Sequence, residues 1–389
     1  MDYAGRDVQG DAADFAGMLS PKWVVRHRGS TADYIKRYRM LAADAAKQKL
    51  TGLKELAPSL LGFISDERTL FAAWQHTAAH GGTAPGPDGC RYDEFTVNEV
   101  WKWCRATREE IRAGEYTPGE ESVHRIPKSS GGGFRELVLQ SIFDRVGQRA
   151  VVETLQPLLD PLFDRRSFGY RPKKGPLRAL ATAERLYKSG KKGVWVSVDI
   201  RNAFPSVPIG RLLGVVGKYL PDESLLALIK AMTRPDKRPG LRQGGPLSPL
   251  LLNLYLHHTL DRKWRALNPK IPLLRFADDI LLLCRTEQQA RDAYAALTKL
   301  LREAGFELKE GEKDAIRLVS VGQEVKWMGF QIQPFQHGLG SGSAENKGNF
   351  RCHLSATAAF GFGPQTPSAI TTEFAVGYVA NVHVERAGT

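Results

Sequence analysis

The stretch Leu273-Leu274-Arg275-Phe276-Ala277-Asp278-Asp279-Ile280-Leu281-Leu282-Leu283 decides how the chain is read. Two apolar runs of strand length flank a pair of adjacent carboxylates. A tight turn at 277–279 predicts a hairpin with both acids near its tip. Neighbouring carboxylates repel each other, and a hairpin as such has no use for them. A divalent cation neutralises both and takes oxygen ligands. An isolated Asp-Asp is more often a polar turn between two core strands, so the decision rests on what stands before and after it.

Upstream, Val194-Trp195-Val196-Ser197-Val198-Asp199-Ile200 is a strong strand ending at a carboxylate, followed by Arg201-Asn202-Ala203-Phe204-Pro205. If Asp199 shares a sheet with Asp278 and Asp279, the three can converge on a pair of metal ions. Such a pair activates a hydroxyl and stabilises a leaving oxygen in phosphoryl transfer. A lone Asp at a strand end is structural about as often as functional; the weight falls on the combination.

The 389 residues leave room for two or three subdomains. A net charge of +13 suits a polyanion, most simply nucleic acid. Cys90, Cys104, Cys284 and Cys352 form no CxxC pair. They read as reduced thiols, not as a disulfide frame or zinc site. No apolar signal core and no run of transmembrane length is present, which predicts a soluble, cytoplasmic protein without a membrane partner.

Residues 1–20 read as a loose tail. Residues 22–39 interleave Lys22, Arg26, Arg28, Lys36, Arg37 and Arg39 with Trp23, Tyr34 and Tyr38. That pattern suits phosphate contacts with base stacking and, equally, a solvated helix face. Helical periods cover 42–61, 66–79, 97–113, 142–155, 177–189, 211–220, 223–233 and 287–304, with a long apolar helix over 248–264 and a break at 157–161. Residues 123–128 and 134–139 predict a hairpin across a Gly-rich loop, and 325–332 a strand pair. From 335 onward Gly, Ser, Thr and Ala dominate. Period-two alternation at Phe350, Cys352 and Leu354, and again over 374–384, predicts a tail that is β-rich or partly disordered.

Phe276-Ala277-Asp278-Asp279 resembles the catalytic box of reverse transcriptases, and the family's other boxes follow in order over roughly 83–332. Ala84-Pro85-Gly86-Pro87-Asp88-Gly89 resembles the loop before the fingers. Ile126-Pro127-Lys128 with Phe134-Arg135 resembles the fingers hairpin, and residues 167–172 the box "S-Y-G-F-R-P". Gln243-Gly244-Gly245 with Ser248-Pro249 resembles the box beneath the incoming nucleotide. Lys313 falls in the palm box after the hairpin, and Trp327-Met328-Gly329-Phe330 resembles the primer grip. The chain is most similar to bacterial reverse transcriptases of the group II intron type and their domesticated relatives, including defence-associated enzymes.

This resemblance implies an α+β right-hand polymerase. A basic helical extension would occupy 1–80, fingers 81–195, and a palm 196–334 with an antiparallel sheet backed by helices; the atypical tail 335–389 would stand where a thumb is absent or reduced. It implies two Mg²⁺ ions, with Mn²⁺ as an alternative, held by Asp199, Asp278 and the Ile200 carbonyl with Asp279 in support. Lys128 and Arg135 would bind the triphosphate, with Arg171 as a helper. Gln243 and Gly244 would pack on the nucleotide, and Phe204 would exclude a ribose 2′-hydroxyl. Lys313 would protonate or neutralise pyrophosphate, and Trp327, Met328 and Gly329 would form the primer grip. His257 and His258 read as helix surface or core. The implied reaction extends a 3′-hydroxyl with dNTPs on an RNA template from a DNA or RNA primer. The implied partner is a structured noncoding or intron RNA, in intron mobility or antiviral defence.

Two departures stand out. Ala203 precedes Phe204 where intron-encoded proteins usually carry two aromatics, and 335–389 lacks the basic helices of a thumb. The tail suits self-association or a second subunit. The alternative function is an RNA-binding, maturase-like or regulatory protein that retains the polymerase fold.

Overall fold

The computed structural model describes residues 9–11, 28–81, 84–127, 133–234, 237–334, 350–354 and 383–385. Helices and mainly antiparallel sheets mix in two compact units, each drawing on separate stretches of the chain.

The first unit takes the described residues up to Ile126, with Arg135–Phe163 and Val207–Tyr255. Strands β1 (Gln9–Asp11) and β2 (Arg28–Ser30) pair antiparallel ahead of helices Thr31–Lys47, Lys49–Ser65 and Glu67–His80. The single helix expected over 42–61 is therefore two. Lys49 turns the chain at φ 55°, and a Cβ at Gly52 would lie 2.3 Å from the Ala45 carbonyl oxygen, an approach open only to glycine. The basic–aromatic segment is likewise corrected in part. Tyr34 and Tyr38 are buried, Tyr38 lying 4.5 Å from the Phe63 ring and Tyr34 beneath the Arg68 guanidinium, so neither can stack on a base. Lys36, Arg37 and Arg39 face outward, and Arg39 pairs with Glu153 at 2.8 Å. Lys22, Trp23 and Arg26 lie outside the described residues, as does the side chain of Arg28.

Helix Val97–Ala113 has the expected bounds. Thr96 and Glu99 form a capping box at its start, and Gly114 ends it at φ 74°. Its Val100 and Cys104 pack with Leu70, Phe71, Trp74, Ile142 and Val146. Helix Ile142–Leu159 outlasts the break expected at Pro157: proline deletes one backbone donor, yet the Asp160 N–H still donates to Gln156 and closes the last turn. Strands β3 (Glu121–Pro127) and β4 (Phe134–Gln140) form the expected two-stranded sheet. Buried Arg242 pairs with Glu121 at 3.1 Å and donates to the carbonyls of Arg234, Arg238 and Gly240. It thereby clamps the loop after helix Glu223–Thr233 onto β3.

The second unit takes Asp164–Ser206 and the described residues from Leu256 onward, with a short piece before β4. Strands β5 (Val194–Asp199), β6 (Leu273–Phe276), β7 (Asp279–Cys284) and β8 (Ile316–Leu318) form an antiparallel sheet in the order β6-β7-β5-β8. Alternation places Trp195, Leu281 and Leu283 on one face, with Ala179, Leu180 and Ala183 of helix Pro176–Gly190. Helix Glu287–Glu303 buries Ala290, Ala293, Leu297 and Leu301 and packs on β5 and β7. Where one helix was expected over 248–264, helix Ser248–Leu256 is followed by a π-helical turn, His257–Asp261, and by helix Arg262–Leu267.

A second sheet has the order β12-β11-β10-β9, from β9 (Val325–Trp327), β10 (Phe330–Pro334), β11 (Phe350–Leu354) and β12 (His383–Glu385). Met328 at φ 53° and Gly329 at φ 75° make the β9–β10 connection a two-residue turn with both residues left-handed, the type I′ geometry. The alternating run at Phe350–Leu354 is a strand, paired antiparallel with β10, and β12 runs parallel to it. Residues 374–382 of the later run lie outside the described residues. Cys90, Cys104 and Cys284 are free thiols, and burial pushes Cys284 up to about 12. Among the described residues no helix is long and apolar enough to cross a membrane.

Candidate active site

The β6–β7 hairpin forms as expected, with Phe276 paired to Asp279 across the turn Ala277-Asp278. Asp279 is thus the first residue of the returning strand, directly opposite Asp199 on β5. The Ile200 N–H donates to the Asp278 carbonyl at 3.2 Å, tying the turn to the end of β5. Ala277 takes φ 56°, a conformation L-residues adopt reluctantly. Two neighbours hold it there. The first is the loop 167–172. The Phe168 N–H donates to Arg275 O (2.8 Å) and the Arg275 N–H to Arg166 O (2.9 Å), so the loop runs beside β6. Its Gly169 abuts the turn so closely that a Cβ would lie 2.3 Å from the Ala277 nitrogen. The second is Arg275, fully buried. Its Nε and Nη2 donate to Asp261 at 3.0 and 2.7 Å, and its Nη1 to the Ala277 carbonyl at 2.9 Å.

Residues 307–309 run beside 199–201. Arg201 N–H donates to Glu307 O (2.8 Å) and Lys309 N–H to Asp199 O (2.9 Å), with a bridge between Ile200 and Leu308. This places the Lys309 ammonium on Asp199 Oδ2, and Glu310 accepts the Asp199 N–H at 2.7 Å. Asp199 Oδ1 is buried and has no hydrogen-bond partner among the described residues. Burial first, then the charges of Asp278 and Glu310, raise the Asp279 carboxyl well above the usual carboxylate range. An orphaned carboxylate oxygen beside carboxylates that resist sharing negative charge is a donor set suited to a hard divalent cation. Among the described residues no three His, Cys, Asp or Glu side chains gather around one point. A Mg²⁺ site built on one or two carboxylates, completed by water and substrate phosphates, does not need such a cage.

Neither Lys309 nor Glu310 was among the expected site residues. Lys313, which was, lies in the short helix Glu312–Ala315, where its carbonyl accepts from Arg317 at 3.0 Å; the lysine set against Asp199 is Lys309. Phe204 is buried in helix Ala203–Ser206 with Tyr170 edge-on at 6.3 Å. Arg171 is mostly buried within the loop 167–172. Its Nη1 donates inward to the carbonyls of Asp164 (2.7 Å) and Ser167 (2.8 Å), so this nitrogen braces the loop. Trp327, Met328 and Gly329 sit at the β9–β10 turn. Ser197 Oγ donates to the Lys326 carbonyl at 2.6 Å, joining β9 to the face of β5 that also carries Asp199. His257 is buried, and burial first lowers its pKa to about 4.

In the first unit, Arg135 is exposed on β4. The Val138 N–H donates to Gln243 O at 2.9 Å, and a Cβ at Gly244 (φ 115°) would lie 2.9 Å from Val138 O. The structure therefore brings Gln243 and Gly244 onto the strand that carries Arg135. Lys128 lies outside the described residues.

Residues 126–332 match the family described as "Reverse transcriptase (RNA-dependent DNA polymerase)", and the chain belongs to that family. Among curated proteins it is similar to the group II intron-encoded protein LtrA of Lactococcus lactis subsp. cremoris, at 25% identity over 227 residues, covering 56% of this chain and 37% of LtrA. It is also similar to protein YkfC of Escherichia coli (strain K12), at 28% identity over 217 residues, covering 51% of this chain and 55% of YkfC. Among solved structures, a chain of the "Partial Cas6-RT-Cas1--Cas2 complex" matches with a TM-score of 0.37 and 22% identity, over 63% of this chain and 41% of that chain. The chain thus spans little more than a third of LtrA and about half of YkfC.

Proposed function

We propose that the protein is an RNA-directed DNA polymerase that extends a primer 3′-hydroxyl with dNTPs on an RNA template. The observation that carries this reading is the direct pairing of Asp199 with Asp279 on neighbouring strands, with Asp278 on the turn between β6 and β7. In this reading the sheet β6-β7-β5-β8 is a palm and the β3–β4 hairpin belongs to fingers. Residues 1–80 are a helical extension, and 335–389 stand in place of a thumb. Asp199, Asp278 and the Ile200 carbonyl would hold two Mg²⁺ or Mn²⁺ ions, with Asp279 in support; bound there, the ions would activate the hydroxyl and offset charge on the leaving oxygen.

The chain's own residues then divide the remaining work. Lys309 orients the Asp199 carboxylate, and Lys313 neutralises departing pyrophosphate. Lys128 and Arg135 hold the triphosphate, Arg as a planar fork and Lys as a point charge. Gln243 and Gly244 pack on the nucleotide, and the ring of Phe204 fills the space a 2′-hydroxyl would need. Trp327, Met328 and Gly329 hold the primer end. The partner is a structured noncoding or intron RNA, in intron mobility or antiviral defence. An RNA-binding, maturase-like role is the second reading; binding alone makes no use of the paired carboxylates.

The test is Asp278→Asn with Asp279→Asn. Amides are poor Mg²⁺ ligands, so dNTP incorporation on a primed RNA template should disappear while RNA affinity stays within about twofold. Incorporation at the parent rate would overturn the assignment.

A further inference from the structure

Away from the carboxylates, the second unit gathers cations that the polymerase reading does not use. Arg165 and Arg166 precede the loop at 167–172, Arg185 lies on helix Pro176–Gly190, and Arg265 on helix Arg262–Leu267. Lys192 precedes β5 and Arg285 follows β7. Val194 pairs with Cys284, so these two mark the end of the sheet opposite Asp199 and Asp279. Five residue steps along β5 separate the ends, about 17 Å. The cations lie within electrostatic reach of one another. The basicity of half-buried Arg166 is lowered first by burial, then by Arg165, with Arg185 and Arg265 adding to it. That of Lys192 is lowered by burial, then by Arg285 and Arg166. Asp164 is the facing carboxylate, and it is already engaged: Oδ2 pairs with Arg265 at 3.2 Å and Oδ1 accepts the Arg166 backbone N–H at 2.9 Å. Among the described residues no carboxylate lies within ion-pair distance of Arg165, Arg166, Arg185, Lys192 or Arg285. Uncompensated like charges destabilise the fold that holds them together, and a polyanion removes that cost.

An independent feature lies beside Arg166 and Arg265. Together with Ser167 and Asn268 they line a cavity of about 30 Å³. Two carboxylates also line it, and both are committed: Asp164 to Arg265 and the Arg166 backbone N–H, Asp261 to Arg275; the Trp264 indole N–H donates to the Ile271 carbonyl at 2.9 Å. Ser167 is 1% exposed, and its Oγ has no hydrogen-bond partner among the described residues. An orphaned buried hydroxyl costs about 1–3 kcal/mol, and here it belongs to a cavity that two arginines also line. The space is enough for a small polar group such as a water molecule or a phosphoryl oxygen.

We propose that this is a second phosphate-binding site, which holds the backbone of an RNA segment lying outside the duplex being copied. A non-bridging oxygen accepts from Ser167 Oγ and from Arg166 or Arg265, and the flanking phosphates meet Arg165, Arg185, Lys192 and Arg285. Guanidinium forks match phosphate oxygens in pairs, and the family handles nucleic acid; both favour RNA over an acidic protein segment. The inference names a partner surface for the proposed polymerase. Its readout is binding without metal or nucleotide, so it stands or falls apart from catalysis.

The experiment measures binding of a fluorescein-labelled single-stranded RNA to the full chain in EDTA, without dNTPs, across a potassium chloride series. Each phosphate contact on a single strand contributes about 0.7 to the slope of log K against log salt. Arg165→Gln/Arg166→Gln/Arg185→Gln should therefore reduce the slope by about 2 and weaken binding at least tenfold at low salt. The exposed pair Arg165→Gln/Arg185→Gln should reduce it by about 1.4 and guards against misfolding of the triple variant. Ser167→Ala should weaken binding about threefold without lowering the melting temperature, because its Oγ holds no internal bond. A parental slope in both Arg variants would overturn the proposal. So would variants that lose binding to a polyglutamate peptide but keep full RNA affinity.

Discussion

Phe204 is buried, with Tyr170 against its edge, so its ring cannot step aside for a bulkier sugar. Phe204→Val should raise rNTP relative to dNTP incorporation by about tenfold or more, the worth of relieving a small steric clash. A single-nucleotide extension assay with competing substrates reads that ratio, and an unchanged ratio would make Phe204 merely a core aromatic. His257 carries a pH dependence. Its folded pKa is lowered to about 4 from an ordinary 6.5, so the unfolded chain binds the proton first as pH falls. Its stabilising contribution is complete above about pH 6.5 and is lost towards pH 4, by at most about 3 kcal/mol. Urea unfolding of the parent and of His257→Gln, compared near pH 7 and pH 5, should show the flatter profile in the variant. The paired acids were legible because their signal is local, two carboxylates between apolar runs. Lys309 was not. It meets Asp199 only through backbone bonds joining 307–309 to 199–201, and nothing near position 309 announces that pairing.

The hairpin that carries Asp278 depends on elements remote from it in sequence. Gly169 leaves no room for a side chain against the Ala277 nitrogen, and Arg275 ties the Ala277 carbonyl to Asp261 in the π-helical turn. Gly169→Ala should therefore displace the turn and lower dNTP incorporation at least about tenfold, as displacements near 1 Å do at reacting centres. RNA affinity, measured by anisotropy on the same preparation, should not change; a parental rate would show that the loop, not the turn, yields. Element boundaries were legible where capping chemistry marks them, as Thr96, Glu99 and Gly114 mark helix Val97–Ala113. They were not where the signal is tertiary. The reversal at Lys49 needs only the contact of Gly52 with Ala45, and the π-turn interrupts a run whose apolar pattern continues unbroken.

Across the whole molecule, positive charge and the atypical tail set the expectations. Lys347, Arg351 and Arg386 are the only Lys or Arg beyond 335, too few for a segment that grips a duplex. What β11 does provide is a cover for the edge of β10. Deleting residues from 335 onward should bare the backbone donors and acceptors of Phe330–Pro334 and promote edge-to-edge association. Light scattering should rise and the melting temperature should fall. A monodisperse truncated protein with the parental melting temperature would show that β11 contributes nothing to the sheet.

The strand order β6-β7-β5-β8 also bears on how the chain is made. Eighty positions separate Asp199 from its strand partner Asp279. At synthesis rates of about 5–20 residues per second, roughly 4–16 s pass between them. Once they emerge from the ribosome, Trp195, Val196 and Val198 wait a comparable time for the neighbour that buries them. Rare codons between the two aspartates would lengthen the exposure, and a holding chaperone on the nascent chain would make it safe.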